Sequence, residues 1–153
     1  MSFDIEEQYD KIYRYCYFKL HSKELAEDVT QETFFRYLKH YNCITTASAL
    51  KYLYTIARNL CVDEYRKPKS ESLDEEITDD TMEEKLIINL TVRTVLSKLT
   101  PDEQELLLLR YVNEVPISTL GKIYGISRFA VYRKLTSVTN KFREELSKED
   151  CYE

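Results

Sequence analysis

Residues 99–146 read LTPDEQELLLLRYVNEVPISTLGKIYGISRFAVYRKLTSVTNKFREEL, and this stretch decides the fold. It opens with a helix start. Thr100 offers a hydroxyl to the first free backbone N–H groups, Pro101 stands where a missing N–H costs nothing, and Glu103 reaches back to the cap. Leu106, Leu107 and Leu109 carry that helix to about Val112, and Val115-Pro116 interrupts it, because a residue before proline is pushed out of the helical region. A short helix is predicted from Ile117 to Tyr124. Gly125 then supplies a turn, Ser127 can cap the next helix, and Val131, Leu135, Val138, Phe142 and Leu146 recur at helical spacing as its buried stripe.

Working outward, Ile88, Val92, Val95, Leu96 and Leu99 form one face of a helix that precedes this stretch. Nearer the start of the chain, Ile5, Tyr9, Ile12, Tyr13, Cys16 and Leu20 mark an opening helix. A second follows His21-Ser22, with Leu25, Ala26, Val29, Thr33, Phe34, Tyr37 and Leu38 inward. A polar loop is expected around Asn42 to Ser48, and then Leu50, Leu53, Ile56, Ala57, Leu60 and Cys61 mark a third helix. With only 2 Gly and 3 Pro in 153 residues there are too few turn formers for a many-stranded protein. The expectation is all-α: two small helical domains, an N-terminal bundle over 1–66 and a C-terminal unit over 82–148, joined by an acidic flexible linker over 67–81.

The distribution of charge narrows the function. The net charge is −5, yet Lys67 to Glu84 holds eight carboxylates against two lysines, so the rest of the chain sums to +1. Arg110 to Lys148 holds eight basic residues against three glutamates, enough to contact phosphate in spite of an acidic whole. No apolar run approaches the roughly 18 residues of a membrane span, and acidic sequence follows Met1, so no membrane insertion and a cytoplasmic location are expected. Cys16, Cys43, Cys61 and Cys151 stand singly, the pattern of reduced thiols rather than a disulfide frame. His40 and Cys43 have a chelating spacing but lack companions. No catalytic constellation, Gly-rich phosphate loop, metal set or cofactor is expected, and no small-molecule substrate.

Gly121, Gly125 and Val131 stand at the offsets of a helix-turn-helix: a small residue where helices cross, a left-handed turn, and a branched residue anchoring the second helix. Opposite the buried stripe of that helix lie Phe129, Arg133, Thr136 and Asn140, with Arg128 and Tyr132 on its flank near the N-terminal end; that end, where Ser127 and Lys134 also stand, is the part that reaches base edges in a major groove. An ordinary helical hairpin with a solvated basic face fits the same spacing. Phe129 argues against it, since an aromatic opposite the core stripe needs a partner such as a thymine methyl or a protein surface.

Residues 120–135 resemble region 4 of RNA polymerase sigma factors, and Leu99 to Tyr111 is similar to the preceding "LxxLPxxxRxVxxLRY" stretch of that family. Gly121, Ala130 and Tyr132 depart from the usual Ala, Thr and Lys, which bears on the promoter read rather than on the fold. Ala26-Glu27-Asp28-Val29-Thr30-Gln31-Glu32-Thr33-Phe34 resembles the "AEDLxQExF" of region 2, which implies that Glu27, Asp28, Gln31 and Glu32 dock on the β′ coiled coil of core RNA polymerase. On charge alone this is a solvated acidic face. Residues 53–66 resemble the promoter-melting helix, with Tyr52 where tryptophan is usual, which implies that Lys51, Tyr52, Tyr54, Arg58 and Arg66 hold the minus-ten element by stacking and by charge. Taken from the residues alone, Tyr52 and Tyr54 are equally well partly core. By analogy the loop from Tyr41 to Ala49 frames a pocket for a flipped base.

The resemblance therefore implies a sigma factor of the extracytoplasmic-function (ECF) type with regions 2 and 4 only. Its partners would be core polymerase (β′ coiled coil and β flap) and promoter DNA. Ser127, Arg128, Phe129, Tyr132, Arg133 and Lys134 would read the minus-thirty-five element. An anti-sigma factor is a further partner that the resemblance allows. Two rivals stand beside it: a sigma mimic that sequesters an anti-sigma factor, and a free-standing helix-turn-helix repressor. The basic groove face speaks against the first and the acidic helix motif against the second.

Overall fold

A computed structural model describes residues 4–40, 46–67 and 92–150. The described residues are helical with turns between, and none is in a strand. Helix α1 spans Ile5–Leu20 and starts because Asp4 accepts from the backbone N–H of Glu6 at 3.1 Å and of Glu7 at 3.4 Å. It stops at His21, whose φ of 56° is left-handed and whose N–H bonds Tyr17 O. Ser22 caps α2, Lys23–Lys39, through Leu25 N at 3.2 Å. Helix α3 spans Thr46–Arg66.

Helices α1, α2 and α3 each pack on the other two. Their shared core holds Ile12, Tyr15 and Cys16 from α1, Ala26, Val29 and Phe34 from α2, and Leu53, Tyr54, Ala57 and Cys61 from α3. Burying one such large side chain contributes roughly 1.5–3 kcal/mol. Two threonines sit fully buried among them, because Thr30 donates to Ala26 O at 2.6 Å and Thr33 to Val29 O at 2.7 Å, so neither hydroxyl is left unpaired.

Two expectations change. Leu38, assigned by periodicity to the buried stripe of α2, is exposed, and Tyr15, outside the α1 stripe, is core. Residues 46–49 of the loop expected over 41–49 belong to α3, and Ala49 is buried; residues 41–45 lie outside the described residues, as does nearly all of the expected linker. The pocket for a flipped base expected over Tyr41 to Ala49 therefore lies largely outside the described residues.

In the C-terminal half, residues 92–97 are helical. Helix α4, Pro101–Leu107, carries the expected capping box: Thr100 Oγ1 accepts from Glu103 N at 3.1 Å, and Glu103 Oε1 accepts from Thr100 N at 2.9 Å. It continues as a π-helical turn, Leu108–Val112, which ends before Glu114 at φ 57°. Helix α5 is Ile117–Tyr124 and α6 is Arg128–Asp150. Contacts divide the chain into Met1–Leu73 with Ser118–Gly125, and Asp74–Ile117 with Ile126–Glu153. Within the second unit, Lys141 Nζ on α6 pairs with Glu103 Oε1 on α4 at 3.0 Å, and Lys98 with Glu145 at 3.5 Å. Among the described residues no helix is long and apolar enough to cross a membrane.

Candidate nucleic-acid interface

The joint before α6 is built by two local devices. Gly125 takes φ 71°, which an L side chain adopts only under strain, and Ser127 Oγ accepts from Ala130 N at 3.1 Å to start the helix. Val131, Leu135 and Val138 are buried, so the register of α6 is fixed and its opposite face looks outward. All six residues expected at the minus-thirty-five element, Ser127, Arg128, Phe129, Tyr132, Arg133 and Lys134, are exposed in the first two turns. Phe129 is 72% exposed, far more than a core aromatic tolerates. Among the described residues no carboxylate pairs with Arg128, Arg133 or Lys134, so their charge adds to the positive N-terminal end of the helix dipole.

The second unit also contains a groove of about 270 Å³ that the sequence did not reveal. Arg110 and Tyr111 of the π-helical turn line it with Tyr132, Thr136, Asn140 and Arg143 of α6, over Ile117 and Leu135. Arg110 also donates to Val115 O at 3.1 Å, and Thr139 Oγ1 at the groove is the one buried side-chain polar atom among the described residues without a partner. The extra residue of a π-turn is invisible to a 3.6-residue periodicity, which is why this grouping could not be read from spacing.

On α2, Glu27, Asp28 and Gln31 are exposed, while Glu32 is half-buried and pairs with Arg36 at 2.8 Å. The surface does not end with these acceptors. Phe35 and Leu38, four and seven residues after Gln31, continue the same line along the helix and are 58% and 56% exposed. Lys39 Nζ lies over the Phe35 ring at 5.3 Å. Sequence reasoning placed Leu38 in the core and passed over Phe35, although the i, i+4, i+7 continuation from Gln31 carried the signal.

The minus-ten candidates divide. Lys51, Tyr52 and Arg58 are half-buried on α3 and Arg66 is exposed at its end. The Tyr52 ring lies 6.2 Å from that of Tyr37 and 6.5 Å from that of His40. The Arg58 guanidinium lies over the Tyr124 ring at 4.8 Å, within the first unit as the contacts divide the chain. Tyr54 is a correction. It is 1% exposed and meets Tyr15 edge to face at 5.8 Å, so its ring fills the bundle core and offers no face to a base. Among the described residues no three His, Cys, Asp or Glu side chains converge on a metal position, and Cys43 lies outside them.

Residues 5–71 match the family model for Sigma-70 region 2, and residues 95–144 match that for Sigma-70, region 4. The chain is similar to the ECF RNA polymerase sigma factor SigW of Bacillus subtilis, 29% identical over 156 residues that cover 90% of this chain and 83% of that protein. It is also similar to the ECF RNA polymerase sigma factor SigM of Bacillus subtilis, 33% identical over 105 residues, 69% of this chain and 60% of SigM. Against the ECF RNA polymerase sigma factor BldN of Streptomyces coelicolor it is 29% identical over 134 residues, 80% of this chain, and spans only 51% of that protein.

Proposed function

The chain belongs to the sigma-70 family of RNA polymerase sigma factors, and from that premise we propose that it binds core RNA polymerase and directs it to specific promoters. The labour is divided. Residues 1–66 hold the polymerase and open the minus-ten element, and residues 82–148 read the minus-thirty-five element as duplex. The acidic line Glu27, Asp28, Gln31 and Glu32 offers carboxylate and amide oxygens to arginines and lysines of the β′ coiled coil. Once docked, Lys51, Tyr52, Arg58 and Arg66 of α3 supply cations and one aromatic ring for separated strands.

The observation that carries this reading is the start of α6. Its anchoring residues are buried while Arg128, Phe129, Tyr132, Arg133 and Lys134 stand free in the first two turns, the arrangement that lets a helix enter a major groove end-on. Arginine can pair with guanine O6 and N7, and an exposed ring can pack on a thymine methyl. In this reading bond formation belongs to the polymerase, and the chain contributes recognition and strand separation.

The test is run-off transcription with purified core polymerase, with and without the chain, on a pool of genomic fragments. Discrete new transcripts sharing upstream sequence are expected. Core binding without transcripts would point to a mimic, and duplex binding without core binding to a repressor; either result overturns the proposal.

A further inference from the structure

The groove of about 270 Å³ in the second unit carries charge of one sign only. Arg110 of the π-helical turn and Arg143 of α6 line it from two elements, and no Asp or Glu stands among its lining residues. One N–H of Arg110 donates to Val115 O at 3.1 Å, which steadies the guanidinium and leaves its other donors for a ligand. Arg143 makes no ion pair among the described residues. Two guanidinium groups at one hollow without a carboxylate favour an anion, and the oxygens of a phosphate suit their planar fork.

The remaining side chains narrow the ligand. Tyr111 and Tyr132 line the same groove and are 60% and 55% exposed, so both rings are available to a flat partner. Thr139 Oγ1 is buried there without a partner, and Asn140 beside it adds an amide. A hydroxyl left in that state is completed by a ligand oxygen that accepts its hydrogen bond. Ile117 and Leu135 give the hollow an apolar side. The volume stands just under the range of about 300–1,000 Å³ usual for small-molecule sites, which suits a single nucleotide rather than a dinucleotide.

We propose that this groove binds a free purine nucleoside monophosphate, laid along α6 with its base on Tyr111 and Tyr132 and its phosphate between Arg110 and Arg143. The ligand is held and not transformed. A DNA backbone offers the same phosphate chemistry, but the position of the groove favours the free ligand. Of the residues proposed to read duplex, only Tyr132 lines it. Arg143 lies further along α6 by about three turns, or 16 Å, away from the end that enters a major groove. Arg110 and Tyr111 belong to another element, and the bicyclic base of a purine presents the larger face to two separate rings.

The experiment is an amide-resonance titration of the full chain with adenosine and guanosine monophosphate, and separately with their nucleosides, with inorganic phosphate and with a short DNA duplex. Saturable shifts gathered at Arg110, Tyr111, Thr139, Asn140 and Arg143 are expected with at least one monophosphate, at an affinity above its nucleoside and above phosphate on the order of tenfold. Arg143→Ala and Tyr111→Leu change exposed side chains and should each weaken binding on the order of tenfold, with the thermal midpoint unmoved. Arg93→Ala removes an exposed arginine of the same unit outside the groove and should leave binding unchanged. The proposal is overturned if neither monophosphate binds more tightly than phosphate and its nucleoside, or if Arg93→Ala weakens binding as much as Arg143→Ala, the mark of general charge attraction. It is equally overturned if the duplex shifts these signals and the monophosphates do not, since the groove then seats a backbone phosphate.

Discussion

Glu103 shows how much one side chain can hold. It closes the capping box with Thr100 and meets Lys141 of α6 at 3.0 Å. The backbone hydrogen bond from Thr100, and then Lys141, keep its carboxyl below the ordinary range. As pH falls the unfolded chain takes up this proton before the folded one, so the stability Glu103 contributes is complete above its ordinary value of about 4.3 and disappears as pH drops through the folded value. Urea unfolding at stepped pH should show the gap between the parent and Glu103→Gln closing on the acid side. Thr100→Ala should cost about 1 kcal/mol in the same assay at neutral pH. His21 and Glu114 take the opposite sign, because both are left-handed without being glycine. Each changed to glycine should gain roughly 0.5–1 kcal/mol, read as a raised thermal midpoint. Residues whose job is local chemistry, such as Thr100, Gly125 and Ser127, were legible in the sequence for that reason. Tyr54 was not, because its partner Tyr15 is supplied by another helix and by packing that no short-range spacing encodes.

Among the elements, α2 is the most informative. Its inward face holds Ala26, Val29, Thr30, Thr33 and Phe34, and its outward face passes from carboxylates to the exposed Phe35 and Leu38. Reversing charge at Asp28 and Glu32 to lysine should abolish co-purification with core polymerase while leaving the far-ultraviolet helix signal intact; undiminished binding would defeat the docking assignment. Helix α6 makes a different prediction. Arg133→Ala should relax promoter choice and cost roughly 1–3 kcal/mol of binding if Arg133 pairs with a base, measured by competition among promoter variants. The turn before it should resist substitution: Gly125→Ala meets open space, so its cost of about 1–2 kcal/mol would be backbone strain alone. Helices and their caps could be read from the sequence because stripe and cap residues recur at fixed offsets. The π-helical turn could not, and with it went the grouping of Arg110 and Tyr111 with Tyr132 and Arg143.

For the whole molecule the decisive quantity is where charge and apolar surface lie, since the total of −5 conceals a basic C-terminal stretch. Duplex binding by this stretch should weaken steeply with salt, and Lys134→Ala should lower the slope of log affinity against log salt by about 1 if Lys134 contacts a phosphate, as a filter or anisotropy titration would show. The all-helical class was legible because Gly and Pro are scarce and apolar residues recur at helical spacing, and the grouping into an N-terminal and a C-terminal part because composition and charge change sharply between them. The exposed rings were only half legible, since periodicity says which residues turn inward but not which outward ones remain bare. Phe35, Leu38, Phe129 and Tyr132 all stand more than half uncovered. Such a surface makes the chain a poor colloid when it has nothing to bind. Its supply in a cell is then tied to the supply of its clients: copies made beyond the number of available polymerases would be drawn to one another or to a protease, and occupancy of the partner, rather than the rate of synthesis, would set how many survive.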